Sequence, residues 1–109
     1  VQNIPIMHII ALKRLREFWT KQTSAETPLK RWYKIVSAAE WEDFNDVRAI
    51  FSSADVWTSP TTGRTYVIFN IGGNNFRLVV SIWYEGGRVY IKYVMTHAEY
   101  DRDSWKEDL

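Results

Sequence analysis

Two glycine-rich turns divide the second half of the chain into three runs that are rich in valine, isoleucine and aromatic residues. The turns are residues 72–75 and 85–87, and the runs are residues 65–71, 76–84 and 88–95. Short runs of this composition, joined by tight turns that contain glycine, are typical of β-hairpins. The second half of the chain is therefore predicted to form a small antiparallel sheet.

The first half of the chain has a helical pattern. Residues 6–10 predict a short strand, and apolar residues three and four positions apart then predict two amphipathic helices. Thr27 is the predicted N-cap of the second helix, because Pro28 suits a first helical turn and favours an extended residue before it. The apolar stripes of the two helices are Leu12, Leu15, Phe18 and Trp19, and Leu29, Trp32, Tyr33, Val36 and Ala39.

A third, shorter helix is predicted over residues 46–51, with Asn45 as its cap. Its buried residues would be Val47, Ile50 and Phe51. Helices that precede a run of antiparallel strands usually pack together on one face of the sheet. The predicted fold class is therefore α+β, with two main N-terminal helices packed on one face of a small, mainly antiparallel sheet.

Alternation of apolar and polar residues predicts which face of the sheet packs against the helices. In residues 76–84 the even positions are all apolar, whereas the odd positions include Arg77 and Ser81, so the even set is expected to face the helices. In the other two strands the inward set is predicted to be Val67, Phe69, Ile71, Val89, Ile91, Tyr93 and Met95. The opposite face would be open and would carry Tyr66, Asn70, Arg77, Trp83, Tyr90 and Lys92. Cations and aromatic rings on one surface suit the phosphates and stacked bases of RNA.

Composition excludes several kinds of chemistry. The 109 residues are enough for one compact domain but not for two, and they include no cysteine and only two histidines, His8 and His97. Disulfides, thiol nucleophiles and thiolate metal sites are therefore excluded, and no metal or other cofactor is predicted. No apolar run approaches the roughly 18 residues of a membrane span and no secretion signal is apparent, so a cytoplasmic protein without a membrane partner is expected.

The net charge of +1 conceals charged blocks along the chain. Residues 8–34 carry seven Lys or Arg against two Glu, whereas residues 40–55 carry five acidic residues against one Arg. Residues 64–92 are positive by three charges, and the tail from residue 99 is negative by three. Segregated charge of this kind produces strong local fields, so a basic surface for RNA is compatible with a nearly neutral total.

Two residues are candidates for catalysis. Arg77 interrupts an apolar strand beside a turn, where it would bind a phosphate, act as a rim residue paired with Asp or Glu, or act as a strand-edge charge that discourages aggregation. His97 follows the last strand, where it would either exchange a proton near neutral pH or serve as an ordinary surface residue or turn cap. The residues alone leave both choices open.

Three motifs carry a family resemblance. They are Met7-His8-Ile9-Ile10, Phe69-Asn70-Ile71-Gly72-Gly73-Asn74 leading into Phe76-Arg77-Leu78-Val79-Val80, and Thr96-His97-Ala98-Glu99-Tyr100-Asp101. In this order and at this spacing they closely resemble the HigB toxin family of type II toxin–antitoxin systems. The resemblance runs from about residue 7 to residue 103, so residues 7–109 are predicted as one toxin domain and residues 1–6 as an upstream extension or a remnant of cloning.

The resemblance implies a RelE-like fold and an mRNA interferase, an endoribonuclease that cuts mRNA in the ribosomal A site. It also implies a HigA-type helix-turn-helix antitoxin as partner. The toxin would then bind operator DNA only indirectly, through this antitoxin. RelE-like enzymes cut without metal, by attack of the ribose 2′-OH on the adjacent phosphate, and need positive charge for the phosphate and an acid for the leaving oxygen. The matching positions are Arg77 for charge stabilisation and His97 for the general acid, with Tyr100 as a third catalytic candidate. The residues predicted to contact RNA are Asn70, Trp83, Tyr90 and Lys92.

One departure from the family pattern concerns the general base. RelE has a pair of lysines ahead of its sheet and another HigB subgroup has a histidine there, whereas residues 48–64 contain neither. The base is therefore unassigned, and dependence on the ribosome to position the 2′-OH is expected. Two alternatives remain open: a ParE-like toxin that inhibits DNA gyrase without cutting RNA, and a non-catalytic RNA-binding module that uses Trp83, Tyr90 and Lys92.

Overall fold

The computed structural model describes residues 6–109. Within this range five strands form one sheet in the order β1-β5-β4-β3-β2, with β1 parallel to β5 and the other neighbours antiparallel. The strands are β1 His8–Ile10, β2 Asp55–Thr58, β3 Thr65–Ile71, β4 Phe76–Trp83 and β5 Arg88–Thr96. The helices are α1 Leu12–Lys21, α2 Glu26–Ser37, α3 Phe44–Ile50 and α4 His97–Asp101, with 3-10 turns at Thr23–Ala25 and Ser104–Asp108. None of these helices is long and apolar enough to cross a membrane.

The first three helices cover one face of the sheet around a buried aromatic centre. Leu15 of α1, Trp32 of α2 and Val47 of α3 are all buried in this core. The ring centroid of Phe69 in β3 lies 5.4 Å from that of Trp32 and 5.0 Å from that of Phe51, both in edge-to-face arrangement. Such pairs stabilise a core by more than their buried area alone. The predicted α+β fold is confirmed.

The second helix begins two residues earlier than predicted. α2 begins at Glu26, because a 3-10 turn runs directly into it and its cap, Ala25, already has helical backbone angles. Thr27 therefore lies inside the helix instead of capping it. Pro28 still lies in the first turn, where its missing N–H group is tolerated. Tyr33, predicted as part of the buried stripe, is 36% exposed because it points away from the sheet.

The third helix also begins earlier than predicted. α3 begins at Phe44, and its cap is Asp43 in place of Asn45. A side-chain oxygen of Asp43 accepts a hydrogen bond from the Asp46 N–H at 3.2 Å, which satisfies one of the free donors at the start of the helix. Ile50, predicted to be buried, is 52% exposed at the end of the helix.

The edges of the sheet differ from the sequence prediction. β2, which no sequence pattern predicts, pairs with β3 as an outer strand and has only four residues, too few for alternation to be recognised. β1 is shorter than the predicted strand over residues 6–10, and the predicted extension over residues 1–6 lies outside the described residues except for Ile6. The other three strands agree with their predicted bounds to within one residue.

A β-bulge in β5 changes which side chains face the helices. Val79 pairs with Tyr93 and Val80 pairs with Ile91, so Lys92 is the extra residue on β5. An extra residue exchanges the two faces of the strand beyond it. Tyr93 and Met95, predicted to face the helices, therefore lie on the opposite face. This prediction was wrong because alternation assumes that the ladder is uninterrupted.

The second face of the sheet is partly covered, although it was predicted to be open. Residues 97–109, the C-terminal segment, fold back over it and bury Trp105 against Tyr66, Ile68 and Met95. Tyr66 is only 3% exposed as a result. The apolar side chains on this face, which include Ile68 and Val79, explain why a cover forms.

Ala11 links β1 to α1 in a left-handed backbone conformation, with φ of 75°. This conformation strains a residue that has a Cβ atom but not glycine. Ala11 is exposed, so its methyl group is not part of the core. Ala11→Gly is therefore expected to raise the free energy of unfolding by about 0.5–1 kcal/mol. This is the net effect of the strain that glycine relieves in the folded state and the conformational entropy that it adds to the unfolded chain. Urea denaturation measures the change, and a loss of stability would contradict the prediction.

Candidate active site

Arg77 is the second residue of β4, directly after the hairpin turn that joins β3 to β4, and only 7% of it is exposed. Its Nη1 donates to the backbone oxygens of Asn74 and Phe76 at 3.2 Å and 3.0 Å. Its Nη2 donates to the side-chain oxygen of Asn74. The tight turn thus brings Asn74 back over the strand, where it holds the guanidinium in one orientation.

The partners of Arg77 are all neutral oxygens. Within the described residues no carboxylate oxygen lies within 4.0 Å of its guanidinium. A rim residue paired with a carboxylate is therefore wrong. A strand-edge charge is also wrong, because Arg77 is buried and β4 is an inner strand of the sheet. A buried guanidinium whose charge is not compensated is costly by itself, and an anionic ligand would compensate it.

Tyr100 covers the guanidinium from the C-terminal segment. The carbon of the Arg77 guanidinium lies 5.4 Å from the centre of the Tyr100 ring, within cation–π range. Tyr100 itself stacks on Trp105 at 5.4 Å, and the Trp105 indole N–H donates to its backbone oxygen at 3.1 Å. Burial raises the pKa of the Tyr100 phenol, and the charge of Asp55 adds to that shift. The phenol is therefore protonated at neutral pH, so it can donate a hydrogen bond but cannot act as a phenolate base.

His97 is the first residue of α4. Its backbone N–H donates to the Asn75 oxygen at 3.0 Å, so the turn that holds Arg77 also fixes His97. Thr96 caps the helix in a reciprocal capping box with Glu99, and the proposed role of His97 as a turn cap is therefore wrong. The His97 side chain is 42% exposed, and its Nδ1 lies 3.2 Å from an oxygen of Asp101.

The hairpin turn thus connects the two main candidates. Asn74 binds the side chain of Arg77, and Asn75 binds the backbone of His97. From the sequence, the two asparagines were identified only as residues of a turn or a family motif, and Asp101 only as the last residue of a motif, with no role at the site. The spacing of Asp101, four residues after His97 in a helix, was the available signal, because residues four apart lie on the same helical face.

The predicted RNA-contacting residues fall into two groups. Asn70 pairs with Arg77 in the sheet and belongs to the site just described. Trp83, 52% exposed, lies six residues further along β4, about 20 Å away in an extended strand. Tyr90 and Lys92 lie on β5 towards that end, with the Lys92 ammonium 5.9 Å from the Tyr90 ring centre. The structure therefore does not bring the predicted residues together as one surface.

A buried arginine and a partly exposed histidine, fixed by one hairpin turn of a sheet with helices on one face, are the features of a RelE-like toxin domain. The family model described as HigB_toxin, RelE-like toxic component of a toxin–antitoxin system, matches residues 25–103. The chain belongs to this family, as the motif resemblance predicts. An antitoxin partner and an mRNA substrate are implied by this membership.

The curated relatives support the same assignment. The mRNA interferase toxin HigB of Escherichia coli (strain K12) is 33% identical over 95 residues, which cover 87% of this chain and 88% of the relative. The mRNA interferase HigB of Escherichia coli O6:H1 is 27% identical over 96 residues, which cover 88% of this chain and 90% of the relative. The mRNA interferase HigB of Shigella flexneri matches at 33% identity over 95 residues.

Proposed function

We propose that this HigB-family toxin is an endoribonuclease that cuts mRNA in the ribosomal A site, without a metal ion. The ribose 2′-OH loses its proton and attacks the adjacent phosphorus, and the bond from phosphorus to the 5′-oxygen breaks. The products are a 2′,3′-cyclic phosphate and a free 5′-OH, with the proton for the latter delivered by a general acid. The names of the curated relatives support mRNA as the substrate.

The uncompensated charge of Arg77 is the observation that carries the proposal. Its guanidinium is oriented by Asn74 and Phe76 and covered by the Tyr100 ring. A preorganised cation of this kind stabilises the charge that develops on the phosphate oxygens, and it does so without reorganisation during the reaction. We assign this role to Arg77, with Tyr100 as the residue that excludes water from one side of it.

His97 is the general acid in this proposal. Its Nδ1 faces Asp101, so the proton on Nδ1 is held there and Nε2 remains for the 5′-oxygen of the leaving group. Asp101 acts as a positioning residue because it orients the ring without touching the RNA. The deprotonation of the 2′-OH is left to the ribosome-bound state, since residues 48–64 contain no lysine or histidine.

The partners follow from the same assignment. The antitoxin is proposed to be a HigA-type helix-turn-helix protein, and operator DNA is bound only through it. The activity is proposed to reside in a single domain, residues 7–109, that works on translating ribosomes in the cytoplasm. Asn70 would contact the RNA beside Arg77, because the two are paired in neighbouring strands.

Primer extension on a defined mRNA in a reconstituted translation reaction tests this function. Discrete cuts at codons are expected with translating ribosomes, together with a large loss of cutting when initiation is blocked. Fragments are expected to carry a 5′-OH, which polynucleotide kinase labels without prior phosphatase treatment, and a 2′-deoxy nucleotide at the cut site should prevent cleavage. Uncut mRNA together with inhibited gyrase would favour a ParE-like toxin, and uncut but tightly bound mRNA would favour a binding module.

A further inference from the structure

A cationic cleft lies between α1 and β5, separate from Arg77 and His97. It has a volume of about 240 Å³. Its lining consists of Arg14, Glu17, Phe18 and Lys21 of α1 and Lys92, Tyr93 and Val94 of β5. We propose that this cleft binds the phosphodiester backbone of single-stranded RNA, next to the nucleotides that are cut.

The fold builds this cleft from an irregular stretch of β5. β1 pairs with β5 only from Arg88 to Tyr90, so the edge beyond has no strand partner among the described residues, and the bulge at Lys92 interrupts it. Arg14 crosses from α1 and donates from Nη1 to the Lys92 backbone oxygen at 2.8 Å. This bond joins the helix to the strand at the cleft. Bulges occur often beside functional sites, where they change the direction of a side chain.

The charges around the cleft favour an anion. Three cations and one carboxylate line it, and that carboxylate, Glu17, already faces Lys13 with a separation of 3.6 Å. Lys21 and Lys92 form no ion pair within the described part of the chain. Phe18 and Tyr93 complete the lining, and aromatic residues beside cations are typical of sites for single-stranded nucleic acid. A phosphodiester with attached bases fits this combination of cations and aromatic residues.

The cleft lies close to the proposed catalytic residues. Phe18, on its α1 wall, packs edge-on against Phe76 with ring centroids 5.5 Å apart. Phe76 pairs with Thr96, the residue before His97. Val94, on the other wall, lies three residues from His97, about 10 Å along an extended strand. A strand of RNA cut beside His97 can therefore reach the cleft within a few nucleotides.

This inference rests on the proposed function, and a binding experiment with an RNA analogue that cannot be cut separates the two. The probe is a fluorescein-labelled, 2′-O-methyl, single-stranded 12-mer, and its anisotropy gives Kd at several salt concentrations. The test variant is Lys21→Gln combined with Lys92→Gln, in which Arg14 is kept because it forms the wall. The matched control is Arg16→Gln combined with Lys34→Gln, which removes two exposed cations of α1 and α2 outside the cleft.

The test variant is expected to bind the probe about tenfold more weakly than the wild type near 0.15 M salt. The plot of the logarithm of the association constant against the logarithm of salt concentration should also become less steep, by about 1.4 in slope. The control variant should change both quantities much less. Equal effects of the two variants, or no measurable binding by the wild type, would each overturn the cleft proposal. If the toxin cuts mRNA but the test variant binds the probe as the wild type does, the cleft proposal fails and the proposed function stands. If the test variant loses binding but the wild type does not cut mRNA, the proposed function fails and the cleft proposal stands.

Discussion

Arg77→Ala is expected to lower the rate of mRNA cleavage by roughly a hundredfold or more, the factor that one donor to a developing anion contributes in other enzymes. Arg77 is 7% exposed and its guanidinium is held by the oxygens of Asn74 and Phe76, so alanine removes a cation that is already oriented. The measurement is single-turnover cleavage of a defined codon on stalled ribosomes, followed by primer extension.

Arg77→Lys separates charge from geometry. Lysine keeps the positive charge but lacks the planar fork of donors, so it cannot keep the contacts to Asn74 and also face a phosphate. Its activity is therefore expected to lie closer to that of Arg77→Ala than to that of the wild type. Wild-type rates in the lysine variant would mean that a local positive charge is sufficient.

The stability of Arg77→Met distinguishes a catalytic from a structural role. A buried guanidinium without a carboxylate partner loses hydration that neutral oxygens only partly replace, so an apolar side chain of similar length should leave the free energy of unfolding unchanged or raise it. Urea denaturation of the purified toxin measures this. A loss of more than about 2 kcal/mol would instead make Arg77 a structural residue, because losses of that size follow from breaking a buried network.

The main core of the fold could be predicted because one physical rule applies along most of each strand. The even positions of β4, such as Leu78 and Val80, face the helices as their alternation predicts. The rule fails after Ile91, because the bulge at Lys92 adds a residue that alternation cannot detect. A bulge is set by how two strands fit together and by the contact that Arg14 makes across to β5, and neither is encoded in a local pattern.

The cover over the second face could not be predicted for a different reason. Its central residue, Trp105, is an isolated aromatic among charged neighbours, so residues 104–108 show no apolar period. Its burial depends on Tyr66 and Met95, which come from strands far away in the chain. The candidate site shows the same limit, since Arg77 and His97 are visible as unusual residues but the contacts from Asn74 and Asn75 that unite them exist only in the folded hairpin.

His97→Gln is the second large effect that is expected, with a loss of roughly a hundredfold or more in cleavage, because general acid catalysis contributes at least about that factor. Glutamine retains polar atoms of similar reach but cannot deliver a proton to the 5′-oxygen. His8→Gln is the matched control, since it replaces the other histidine, which is exposed on β1 and pairs with Arg88 at the end of β5 away from His97. An unchanged cleavage rate in His97→Gln would show that His97 is not the general acid.

Asp101→Asn tests whether the carboxylate that faces His97 only positions the imidazole. Asp101→Asn removes a contact in which the His97 side chain is 42% exposed and the Asp101 side chain is 59% exposed. Because solvent screens so exposed a pair, the cleavage rate is expected to fall by no more than about fivefold. Single-turnover cleavage measures the change, and a loss as large as that of His97→Gln would show that the carboxylate takes part in the proton transfer itself.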